Sequence, residues 1–117
     1  MKVVSLENAI LRAKELARRR LAEGKSADEF VRIGEADGFR IYVAAGKTVS
    51  NSPENLHENT RDVFMLILEG EVEFAFRNGE KTIVKSGECF VLPKHQMHQC
   101  VFKTLTVAIE GVFERGL

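Results

Sequence analysis

Three histidines carry most of the chemistry this chain of 117 residues can offer. They are His57, His95 and His98. Imidazole is the commonest metal ligand and the usual acid–base group near neutral pH. None of the three stands in the N-terminal segment or inside a hydrophobic run. His57 lies just before the apolar run 63–68, and His95 and His98 follow Pro93, which ends another apolar segment. If those segments are neighbouring strands, the three rings converge at one mouth.

The elements that must position them fall into two unequal parts. Residues 5–23 predict a helix. Ser5 suits the N-cap, Glu7 the first turn, and Arg18, Arg19 and Arg20 the end of the helix dipole, with Gly24 as a stop. Leu6, Ala9, Ile10, Ala13, Ala17 and Leu21 build one apolar stripe at spacings of three and four. A second helical turn is expected over Ser26–Ile33, with Asp28 and Glu29 at its start. From Gly38 the period changes to two: Phe39, Ile41 and Val43 alternate with Arg40 and Tyr42. Residues 46–62 are polar and read as an open loop or a weak strand. VFMLIL, residues 63–68, reads as a strand buried on both faces. In the next segment Val72, Phe74 and Phe76 share a face, and Asn78-Gly79 predicts a hairpin turn, because both residues accept positive φ. Further strands are expected over 81–85, up to Pro93, and within 99–114. Many short strands between turn signals mean an antiparallel sandwich or barrel.

Composition narrows the functions. Lys plus Arg number 17 and Asp plus Glu number 17, so net charge is zero, which argues against a general nucleic-acid binder or a polybasic membrane surface. A hydrophobic share of 44% with eight Phe is too high for a disordered segment. No apolar run approaches the ~18 residues that span a bilayer. Acids and bases mix through the first residues, so no signal peptide is read there, and Cys89 and Cys100 are expected as reduced thiols in a cytoplasmic protein.

Residues 69–98, EGEVEFAFRNGEKTIVKSGECFVLPKHQMH, resemble the cupin superfamily. Gly87, five residues, Pro93 and then His98 follow that family's second motif, with His95 where its second Gly stands and Phe102 where its Asn stands. Gly70 matches the last Gly of the first motif. The resemblance implies an all-β fold, the antiparallel double-stranded β-helix or jelly-roll barrel, over residues 38–117. An N-terminal α-helix, in a helical extension over 1–37, precedes it. In metal-binding cupins, two His and a Glu of the first motif and one His of the second hold the ion. One alignment places His57 and Asn59 at the two His positions and Val63 at the Glu. Another admits a bulge and takes Asn55, His57 and Asp62. The metal candidates are therefore His57 and His98, with Asp62 or Cys100 completing the shell. Cys100 shares a strand face with His98. The ion implied is divalent: Zn, Fe, Mn or Ni.

The barrel interior implied by the resemblance gives the ligand-binding candidates His57, Asn59, His98, Met65 and Phe74. Ile67 and Phe76 lie on the same faces, and Phe90, Phe102 and Tyr42 are available for stacking. Two functions stay open. One is a small-molecule binding or sensing barrel with a degenerate or weakly occupied metal site. The other is a metal-dependent isomerase, decarboxylase or dioxygenase of small substrates, with His95 as acid or base. Sheet edges and the helix stripe also lead us to expect a homodimer. As a loop-end imidazole, His98 is expected to contribute little to the core.

Overall fold

Ser5 caps the first element, accepting a hydrogen bond from the Asn8 backbone N–H at 3.2 Å. Helix α1 then runs over Leu6–Ala22, with Glu7 in its first turn and Arg19 and Arg20 in its last. Its buried positions are Ala9, Ala13 and Ala17. In the computed structural model, which describes residues 2–49 and 56–114, eight strands follow. They are β1 (Ala27–Ala36), β2 (Phe39–Lys47), β3 (Asp62–Glu69), β4 (Glu71–Phe76), β5 (Lys81–Lys85), β6 (Cys89–Leu92), β7 (His98–Val101) and β8 (Thr106–Phe113). All pair antiparallel, in a sheet of order β1-β2-β8-β3-β6 and a second of order β5-β4-β7. The two sheets face each other as a cupin-type jelly roll.

One expectation about the N-terminal segment is corrected. Ser26–Ile33 is not helical: Ala27 begins β1, so the extension expected to be helical over 1–37 contains a strand of the main sheet. Ser26 does not cap a helix. Its hydroxyl accepts the Val49 N–H at 2.8 Å and ties the start of β1 to the end of β2. Alternation explains the strand. Ala27 and Val31 pack beneath the helix, while Asp28 and Phe30 face the other way.

Burial of 63–68 also differs from the expectation. Val63, Met65 and Ile67 are buried, but Phe64, Leu66 and Leu68 are only half-buried, because α1 lies mainly over β1 and β2 rather than β3. In the hairpin after β4, Gly79 alone has positive φ, at 91°, and Asn78 does not. Phe76 and Glu80 close a three-residue loop, with the Phe76 N–H donating to the Glu80 carbonyl at 2.8 Å, and such loops need only one left-handed residue. Gly70 is required for a different reason. It sits at φ 87°, and a Cβ there would lie 2.6 Å from Thr106 Oγ1.

The main sheet has two kinds of face. Outside, Ala27, Val43, Ala45 and Val107 bury the alanine stripe of α1. Inside, Met65, Ile67, Val72, Phe74, Val84, Leu92 and Ala108 fill the space between the sheets. Above this inner core the described residues leave a cavity.

Candidate functional site

His57 and His98 meet in backbone and in side chain. Each N–H donates to the other's carbonyl, at 2.9 and 2.8 Å, forming an isolated antiparallel bridge. Their ring centroids lie 4.3 Å apart at an interplanar angle of 60°. His57 is exposed at the rim, whereas His98 is only 1% exposed. His98 is therefore no loose loop-end residue: it starts β7, and its ring packs against Phe74 with centroids 6.0 Å apart.

Both rings line a cavity of about 170 Å³ in the barrel mouth. Its walls follow the alternation of seven strands and the bridge at His57. β1 supplies Asp28 and Phe30, β3 supplies Val63 and Met65, and β8 supplies Thr106, Ala108 and Glu110. Phe74, Phe90, Phe102 and Cys100 come from the opposite side and the closing strands, and Asn59 from the segment before β3. Of the residues singled out in the sequence, His57, Asn59, His98, Met65, Phe74 and Cys100 are thus together.

Three others lie elsewhere. Asp62 Oδ1 accepts the Lys94 backbone N–H at 2.9 Å, which fastens the loop after β6 to the start of β3, and the residue does not line the cavity. His95 is also outside the cavity, so the three rings do not converge. Its N–H donates to the Asn59 carbonyl at 2.8 Å, and its exposed ring lies 3.8 Å from the Glu58 carboxylate. Its backbone adopts φ 65°, a left-handed conformation that suits the Gly of the family pattern better than a β-carbon. Tyr42 lines a shallower neighbouring groove with Arg61. Asn55, needed by the alternative alignment, lies outside the described residues. The cavity holds the residues of the bulge-free alignment, His57, Asn59 and Val63.

The electrostatics of the site follow from burial. Burial pushes the His98 pKa down, helped by the nearby His57, while the hydrogen bond to Gln96 acts in the opposite sense. His98 Nδ1 lies 2.8 Å from the Gln96 carbonyl. A carbonyl accepts only, so Nδ1 carries the proton, and the neutral ring keeps its lone pair on Nε2. Burial, then the negative charges of Asp28 and Glu110, push the Cys100 thiol up to about 12. It stays a neutral thiol at pH 7 and is a poor metal ligand.

Sequence reading missed two carboxyls of this cavity, Asp28 and Glu110. Burial, then repulsion from Asp28, pushes Glu110 up to about 7. Burial and Glu29 also raise Asp28, and His57 opposes them. Asp28 is exposed at the rim, so water weakens that push, and Glu110 is the more strongly perturbed carboxyl. A signal for Glu110 was present: it shares the period-two face of Thr106 and Ala108 in an otherwise apolar run. Asp28 was hidden by the helical reading of its segment.

The residues present do not fit the four-ligand metal centre that the family resemblance implies. Val63, 6% exposed, lines the cavity where that pattern has a carboxylate. Among the described residues, no group of three or more His, Cys, Asp or Glu is placed to hold a metal ion. No described helix is long and apolar enough to cross a membrane.

Solved structures share this architecture. A protein of Neisseria meningitidis superposes with a TM-score of 0.69 at 16% identity, covering 96% of this chain and 99% of that one. An RmlC-like cupin protein of Desulfovibrio desulfuricans gives 0.64 at 20% identity, covering 100% and 99%. KdgF from a Halomonas species gives 0.62 at 18% identity, covering 80% and 91%. At such identities the likeness concerns the fold alone. No match was found among curated proteins. The family model described as the cupin domain matches residues 40–109, more than half of the chain. By that match, and by the barrel that carries its motifs, the chain belongs to the cupin family.

Proposed function

We propose that this chain is a small-molecule-binding cupin that holds its ligand with side chains, not through the family's four-ligand metal centre. The observation that carries this reading is Val63 in the cavity wall beside two converging imidazoles. Where the motif would place a carboxylate, the chain presents a methyl surface, and His98 offers a fixed, neutral acceptor. Apolar walls with a few oriented polar groups are the usual make-up of a small-ligand site. His57 stands exposed at the entrance, its ring beside that of His98.

Metal analysis of untagged protein, combined with NMR titration of a small-fragment library, tests this. The expected result is little bound metal and fragment-induced shifts at His57 and His98 that persist in excess chelator. His57→Ala, at an exposed position, should weaken fragment binding without unfolding the chain. One tightly bound divalent ion per chain, required for binding, would overturn the reading in favour of a metal-dependent enzyme.

We also propose that two chains associate. The main sheet ends in the outer strands β1 and β6, and Phe30, Ile83 and Val91 are exposed apolar side chains. Light scattering that gives the mass of a single chain, 13.1 kDa, at micromolar concentration would contradict this.

A further inference from the structure

The cavity has a charge character that the family motif does not supply. Its described lining contains Asp28 and Glu110 but neither Lys nor Arg. Both carboxyls fall outside residues 40–109, the stretch shared with the family, whereas His57 and His98 fall inside it. Asp28 enters from β1 and Glu110 from β8, with β2 between them in the sheet. Their inward placement follows from register: Asp28 pairs with Gly46 and Phe30 with Ala44 on β2, and Ala44 pairs in turn with Ala108 on β8.

A second feature points the same way. Phe30, Phe74, Phe90 and Phe102 all line this cavity, and Phe74 and Phe90 meet edge to face with centroids 4.8 Å apart. Aromatic faces attract cations through the negative potential of the ring. Carboxyls and aromatic rings together, with neither Lys nor Arg in the described lining, favour a cation over an anion, and the imidazoles of His57 and His98 are the basic groups there. The remaining polar groups agree. His98 Nε2 is an acceptor, because Nδ1 holds the proton. Arg61, which lines the neighbouring groove, reaches the Glu114 backbone carbonyl at 3.5 Å and does not line this cavity. Tyr42, paired with Glu110 across the sheet, brings no positive charge.

We propose that the barrel cavity takes a small organic cation of the alkylammonium class, held by Glu110 and Asp28 and walled by the phenylalanine rings. The inference rests on the small-molecule reading above and names its ligand class. The cation would relieve the repulsion between the two carboxyls, and the N–H groups of a primary ammonium would also meet the acceptor at His98. The cavity's size limits the ligand to a few heavy atoms: its volume is that of roughly six waters in the liquid.

The test is NMR titration of the full chain at pH 8, where Glu110 has lost its proton, with chelator present throughout and three sets of probes. These are ethylammonium and tetramethylammonium, then acetate and inorganic phosphate, then glycerol. We expect the ammonium ions to shift the resonances of His98 and the cavity phenylalanines, and the anions to leave them unmoved. Glu110→Gln and Asp28→Asn, which keep side-chain shape, should each weaken ammonium binding by roughly tenfold or more. Acetate or phosphate binding as tightly as ethylammonium would overturn this inference and leave the small-molecule reading standing. Glycerol binding as tightly, or ammonium affinity unchanged in both variants, would do the same. If no probe and no library fragment binds, both readings fail.

Discussion

The two faces of the main sheet are built from alternate residues of the same strands, yet they do opposite work. On the outer face Ala27, Val43, Ala45 and Val107 meet Ala9, Ala13 and Ala17 of α1 and exclude water. On the inner face, one residue along each strand, Asp28, Ala44, Ala108 and Glu110 line a cavity. The outer contact is built mostly from alanines, which let the helix settle close to the sheet. The inner surface leaves space unfilled and places titratable groups around it. A period of two is enough to separate a sealed layer from a reactive one, because neighbouring residues of a strand point to opposite faces.

The comparison is most sharply broken at Phe74, 2% exposed, which belongs both to the inner core and to the cavity wall. Phe74→Ala should cost about 3–5 kcal/mol in chemical denaturation and weaken binding as well. A cost below 1 kcal/mol would mean that the inner core tolerates the loss and that the ring serves the cavity alone.

Ala13→Leu probes the sealed face by itself. Ala13 has no exposed surface, so the added atoms must push α1 off the sheet, costing about 1–3 kcal/mol. Binding in the cavity should be unchanged. A variant that lost binding at unchanged stability would show that the two faces are coupled.

Glu110→Gln should act in the opposite sense. In the folded chain Glu110 keeps its proton up to about pH 7, against an ordinary value of 4.5. Its contribution to stability is therefore fully present below pH 4.5 and is lost as pH rises through about 7. Glu110→Gln should be more stable than the parent at pH 8 by on the order of 2 kcal/mol, and nearly equal to it at pH 4. Melting curves across that range check the sign. A variant that is less stable at pH 8 would show that Glu110 is held by a compensating partner.

The smallest effect is expected at the rim. His95→Gly removes a β-carbon from a left-handed backbone and keeps the N–H that reaches Asn59. Relief of strain outweighs the added flexibility of glycine, for a gain of about 0.5–1 kcal/mol with no change in fragment binding. Loss of binding would place His95 in the site after all.

Much of this molecule was legible locally. The cap at Ser5, the alanine stripe, the strands around Phe74 and the left-handed turn at Gly79 all depend on side chains within a few residues of one another. The pairing of His57 with His98 was legible through the spacing of Gly87, Pro93 and His98, which belongs to a family pattern. The strand Ala27–Ala36 was not legible. Its first residues carry helix-start chemistry, and only hydrogen bonding to β2, across nine paired positions, outweighs it. The orientations of Asp62 and His95 were equally closed to sequence, because each is set by a backbone partner brought close by the barrel. Asp28 and Glu110 show the limit most plainly. The residue types are visible in the chain, but their meeting in one cavity depends on β1 and β8 flanking the same strand. Such long-range pairing is decided by the burial of whole faces, where local propensity has no say.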